Sequence, residues 1–152
     1  MALKQTKDIE ELTASIDTHR QKLGGITHAL KKQMPLCESL GEIYYMELSI
    51  AHMESIRYIC DYEKSMVLNT LTETDPERKR RLCSRSIARI QSRIIDINEI
   101  YTRIMTVFRG EMNIGLRAVM EDALETIKSL LKTFGYSERI LQKADGADKA
   151  YG

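Results

Sequence analysis

Tryptophan is absent from this chain of 152 residues, phenylalanine occurs twice, and there are only eight glycines and two prolines. A sheet protein draws on turn residues and aromatic strand pairs, and both are scarce here. Helix is therefore expected throughout. No stretch comes near the roughly 18 apolar residues of a membrane span, so no transmembrane segment is expected. The opening MALKQTKDIEEL lacks a basic patch followed by an apolar run, the mark of a secretory leader. Cysteine is limited to Cys37, Cys60 and Cys83, an odd number with no CxxC pair and no histidine at metal-ligand spacing. Free, core-packed thiols in a reducing compartment fit this better than a disulfide framework or a zinc site. The expected location is the cytoplasm, although an exported chain trimmed of its leader would read the same way.

Catalytic motifs are missing as well. There is no Walker loop, no GxGxxG, no HExxH and no GxSxG. The Glu-x-x-His pair of di-metal helical proteins fails at His52, which has Ser49 three residues earlier, and at His28, which has Gly25. Glu42, Glu47 and Glu54 recur as a solvated helix surface recurs, and no nucleophile is accompanied by a base. No catalytic residue, cofactor or metal is expected, and the chain reads as a non-enzyme.

With 43% hydrophobic and 30% charged residues, the chain suits one domain around one core. Four long helical segments are predicted. In the first, Asp8 to Gln33, the residues Ile9, Leu12, Ile16, His19, Leu23, Ile26 and Leu30 step by threes and fours, the spacing of a heptad seam. Gly24 and Gly25 interrupt it and suggest a bend or a close approach by a neighbour. Pro35 ends it or kinks it. The second, Leu36 to Leu71, carries Ile43, Met46, Ile50, Met53, Cys60 and Val67, widened by Tyr45, Ile56, Ile59 and Met66. Asp75 and Pro76 then supply an N-cap and a first helical residue.

The third segment, Pro76 to Arg109, alternates four and three without a break through Cys83, Ile87, Ile90, Ile94, Ile97, Tyr101, Ile104 and Phe108, and Gly110 ends it. The fourth, Ile114 to Phe134, has Leu116, Met120, Ala123, Ile127, Leu130 and Phe134 on the same alternation, with Gly135 as a stop. Ser137 would then cap a short last helix through Leu141. The fold expected is all-α: an elongated antiparallel helical bundle or coiled coil of four main helices plus a short C-terminal helix, over residues 1–143. Residues 144–152 read as a flexible tail. A fourth helix shorter than the others would leave one end of the second and third uncovered, and an uncovered seam invites a second copy or a partner protein.

Charge is the most uneven feature. Residues 78–93 hold seven Lys or Arg and no acid, while the whole chain has a net charge of +1, so the remainder carries −6. On a helix, Arg78, Arg81, Arg85, Arg89 and Arg93 fall within an arc of about 120° facing away from the seam. Glu54 is expected opposite Arg93, and Asp61 opposite Arg85, with Arg81, Arg85 and Arg89 left in water. Arg78, Arg81, Arg85 and Arg89 thus form a candidate patch for nucleic acid or another acidic surface. A low net charge and the absence of a reading module weigh against nucleic acid. Tyr44, Tyr58 and Tyr62 share one face and form a candidate interface, since tyrosine combines apolar area with a polar tip.

The expected function is a non-enzymatic scaffold or interaction subunit that forms a homo-oligomer or binds a partner protein. Long helices without a site are similar in outline to bundle subunits of larger machines, such as minor components of bacterial conjugation or type IV secretion systems, but no motif carries a residue across. The alternative is a binder of acidic surfaces through the arginine stripe.

Overall fold

The computed structural model describes residues 2–107 and 114–151, with side chains from 6 to 106 and from 114 to 146. It holds four α-helices, α1 (Ala2–Gln33), α2 (Leu40–Thr72), α3 (Pro76–Val107) and α4 (Ile114–Tyr151), and a 3-10 turn at Met34–Leu36. No strand occurs among the described residues. The chain is all-α. None of the helices is long and apolar enough to cross a membrane.

Local chemistry explains the ends. α1 begins before Asp8, and α2 begins at Leu40 rather than Leu36. Pro35 cannot continue the α1 hydrogen-bond ladder, and Ser39 caps α2 by accepting the Glu42 amide at 3.1 Å. The Glu42 carboxylate reaches back to accept the Glu38 amide at 3.3 Å, a near relative of the capping box. At α3 the Asp75 carboxylate accepts the Arg78 amide at 3.1 Å, and Pro76 takes the first helical position, as its composition predicts. Phe108 and Gly110 lie outside the described residues.

The C-terminal reading needs correction. Gly135 does not stop a helix and Ser137 does not start a short one, because α4 runs unbroken from Ile114 to Tyr151. Ser137, Ile140 and Leu141 are buried and continue the spacing of Leu130 and Phe134. Burial of that extra turn outweighs the roughly 1 kcal/mol that glycine costs inside a helix. α4 is thus the longest of the four, and the premise of a short fourth helix leaving the hairpin uncovered falls away.

No glycine among the described residues has a positive φ, and a Cβ on Gly135 would meet nothing within 4 Å. Gly135→Ala is expected to raise stability by about 0.5–1 kcal/mol, measured by urea denaturation. A loss instead would mean that the glycine is needed for a helix end. The Gly24–Gly25 doublet divides in the same way. A Cβ on Gly24 would touch the Arg57 guanidinium at 3.4 Å, while one on Gly25 meets open space.

α1 packs on α2 and α4, and α3 packs on the same two. Partners run in opposite directions, as successive cross-pairs show: Asp17–Lys64 and then Lys31–Glu54 for α1 and α2, Ser86–Thr70 and then Arg93–Glu63 for α3 and α2, and Ser15–Thr133 and then His19–Ser129 for α1 and α4. The predicted seam residues meet in the middle. Leu12, Ile16, Leu23, Met46, Met53, Ile90, Ile97, Met120 and Phe134 are among the largest side chains wholly removed from solvent or nearly so.

Candidate functional site

α2 and α3 bring together residues that are far apart in the chain. Glu63 is wholly buried. The Arg89 Nε–H donates to both of its carboxylate oxygens, at 2.7 and 2.9 Å, and the Arg93 Nε–H donates to one of them at 3.2 Å. Arg89 Nη2 also donates to the Ser86 hydroxyl at 3.2 Å. Ser86 lies 3.1 Å from Thr70, whose hydroxyl donates to the Met66 carbonyl at 2.8 Å. Since Thr70 spends its proton there, Ser86 is the donor between the two hydroxyls. Each polar atom in this buried strip has a partner, as burial requires.

The same arginines lie over an aromatic ring. Both guanidinium carbons are 5.5 Å from the centroid of Tyr62, within cation–π range. Tyr62 stacks on Tyr58 with centroids 6.5 Å apart and planes 25° apart. Arg89 therefore does not stay in water as the heptad wheel predicts. It turns inward, because Glu63 offers a buried carboxylate one side chain away and an arginine stem packs well against apolar surface.

Sequence reasoning passed over Glu63. The signal available was an acid inside the apolar face between Cys60 and Val67. The acids it did select face elsewhere: Glu54 pairs with Lys31 at 3.6 Å and Asp61 with Arg20, both on α1. Neither opposes the arginine stripe. Of the four residues in the proposed patch, Arg81 and Arg85 are exposed, Arg78 is exposed but pairs with Glu73 at 3.6 Å, and Arg89 belongs to the buried cluster. Replacing Arg81 and Arg85 together by Gln should leave the melting temperature unchanged, whereas Arg89→Gln should lower it. Equal shifts would place all three in one environment.

The three tyrosines do share a face. Tyr44 is 68% exposed, Tyr58 66% and Tyr62 38%, and Leu40 on the same line is 85% exposed. Between them lie Ala51 and Ser55, also exposed, and beyond Tyr62 comes Asn69. Within about 20° of the line through Ala51, α2 carries Leu40, Tyr44, Tyr58, Tyr62 and Asn69 and no charged residue, while exposed Glu47, Glu54 and Asp61 run along one side of that line. Four large side chains left exposed on one line make a narrow amphipathic strip.

Other candidates are accounted for by packing. His19 sits between α1 and α4, its Nδ1 2.7 Å from the Ser15 carbonyl and its Nε2 2.8 Å from the Ser129 hydroxyl. The first contact requires Nδ1–H to donate, which in the neutral imidazole leaves Nε2 to accept from the Ser129 hydroxyl. His52 has a buried Nε2 without a partner, and burial, with Arg103 nearby, lowers its pKa. Among the described residues no three His, Cys, Asp or Glu side chains gather as metal ligands do.

Burial pushes the Cys60 thiol up to about 12, and Cys83 is wholly buried. Cys37, by contrast, is only partly covered and donates its S–H to Met46 Sδ at 2.9 Å. A thiol reagent at neutral pH is expected to label Cys37 alone in the folded protein and all three cysteines after denaturation, as counted by mass spectrometry. Rapid labelling of Cys60 would contradict this packing.

No family model matches this chain, and neither a curated protein nor a solved structure is significantly similar to it.

Proposed function

We propose that the protein is a non-enzymatic helical scaffold or interaction subunit that works through the outward face of α2, as a homo-oligomer or within a larger assembly of the kind found in conjugation or secretion machines. One observation carries this reading: Leu40, Tyr44, Tyr58 and Tyr62 are exposed along a single narrow line of α2, with the acids Glu47, Glu54 and Asp61 only at its edge. Water solvates such a strip poorly, and large exposed apolar patches mark contact surfaces. Tyrosine is also a preferred anchor at interfaces. Behind the strip, the Glu63–Arg89–Arg93 cluster holds Tyr62 in place, which lowers the entropy lost when a partner covers it. The finer architecture that fits is an elongated antiparallel bundle with coiled-coil seams, supported by the unbroken alternation of fours and threes in α3.

The test is a photoreactive amino acid at Tyr58 in the producing cell. Specific covalent adducts, lost when Tyr44 and Tyr62 are changed to Arg, are the expected result. An absence of adducts at Tyr58 and also at Tyr44 would overturn the reading. The alternative, a binder of acidic surfaces, now rests on Arg81 and Arg85 with Arg78 beside them. It predicts binding to single-stranded DNA or RNA that weakens steeply between low and moderate salt and disappears in the Arg81→Gln, Arg85→Gln pair.

A further inference from the structure

We infer that the occupant of this α2 face is a second copy of the chain, lying antiparallel across a two-fold axis that passes beside Ala51. This rests on the interaction reading above and makes it specific.

The residues on the strip are arranged symmetrically about Ala51. Tyr44 and Tyr58 each lie seven residues from it, and Leu40 and Tyr62 each lie eleven. At 100° per residue, seven and eleven positions fall within about 20° either side of the line through Ala51. Turning a second α2 end for end about that point therefore sets Tyr44 of one copy beside Tyr58 of the other, and Leu40 beside Tyr62. Because the two tyrosines lean to opposite sides of the line, their rings pass alongside each other instead of meeting head-on. Alanine at the centre lets the two backbones approach to the lower end of the roughly 8–10 Å range for packed helices. A two-fold interface must be complementary to itself, and this strip meets that requirement in one direction.

Charge is compatible with this direction. In the antiparallel pair, Glu47 of one copy comes level with Ser55 of the other, next to Glu54. There Lys31, still 58% exposed, already holds its Nζ 3.6 Å from the Glu54 carboxylate. The lysine would sit between two carboxylates, one from each copy.

The size suits a weak, reversible dimer. Given 150–250 Å² for a buried aromatic side chain, the exposed parts of Leu40, Tyr44, Tyr58 and Tyr62 offer on the order of 500 Å² per copy. The flanking Ala51, Ser55 and Glu47 add to this, against about 800 Å² per partner in a standard interface. A dissociation constant in the micromolar range is expected.

Light scattering from about 1 to 100 µM should show a monomer passing into a dimer. Tyr58→Arg should weaken the dimer at least tenfold while leaving helix content and melting of the monomer unchanged. Direction is read by disulfide trapping in a Cys37→Ser background. Tyr44→Cys and Tyr58→Cys should each fail to crosslink alone but form a dimer when mixed. Ala51→Cys, on the axis, should crosslink by itself. A chain that stays monomeric throughout and gives no Ala51→Cys dimer overturns the inference. So does crosslinking of Tyr44→Cys or Tyr58→Cys alone, which indicates a parallel pair. If the photoreactive group at Tyr58 meanwhile captures a different protein, the self-pairing fails and the interaction reading stands.

Discussion

Replacing Arg89 and Arg93 together by Met is expected to destabilise the protein by about 3–5 kcal/mol, because it leaves Glu63 charged and buried with no cation. Arg89 and Arg93 retain side-chain exposures of 20% and 25%, whereas Glu63 has none. The arginines can therefore turn out to water if their partner is lost, and the carboxylate cannot. The effect should be asymmetric: Glu63→Leu alone should cost less than the double arginine change. Adding Glu63→Leu to that double variant should recover most of the lost stability, since apolar residues of similar size often replace a buried ion pair at little cost. Denaturant midpoints of the four proteins measure this directly. If the double arginine variant melts like the parent, the cluster holds nothing in register. The Tyr62 ring should also loosen when the arginines go, with an increase in its ring mobility by nuclear magnetic resonance.

The second large effect lies beyond Gly135. Leu141→Ala is expected to cost about 3 kcal/mol, the transfer energy of the lost methyl groups plus a cavity. Leu141 is wholly buried, as are Phe134 and Ser137 on the preceding turns. A chain ending its fourth helix at Phe134 would scarcely notice the change. Thermal unfolding of Leu141→Ala beside the exposed control Gln142→Ala separates the two cases. A shift below 1 °C for both would mean that the last turns contribute nothing to the core.

Much of the fold was legible without coordinates. The seam residues Leu12, Ile16, Leu23, Met53, Cys83, Ile90, Ile97, Met120 and Phe134 follow from spacing alone, because a 3.6-residue period puts every third or fourth side chain on one face. Asp75 and Pro76 declare a helix start by their own chemistry. Gly135 was misread because a glycine stop is a local preference of about 1 kcal/mol, and the burial of Ile140 and Leu141 against the rest of the core is worth more. The candidate surface was half legible. Tyr44, Tyr58 and Tyr62 could be placed on one face by counting, yet whether that face looked inward or outward could not.

The arginine run shows where the division falls. Periodicity by itself determined that residues 78–93 form a helix with Cys83, Ile87 and Ile90 on one side and five arginines on an arc facing away from them. Only the packing of α3 on α2 decided that Arg89 and Arg93 belong to the buried Glu63 and to Tyr62, while Arg81 and Arg85 stay in solvent. The reason is physical. A helical wheel gives the direction in which each Cα–Cβ bond points. An arginine side chain, however, is long enough to fold back across the helix edge, and where it ends depends on a carboxylate supplied by another helix 26 residues away in the chain.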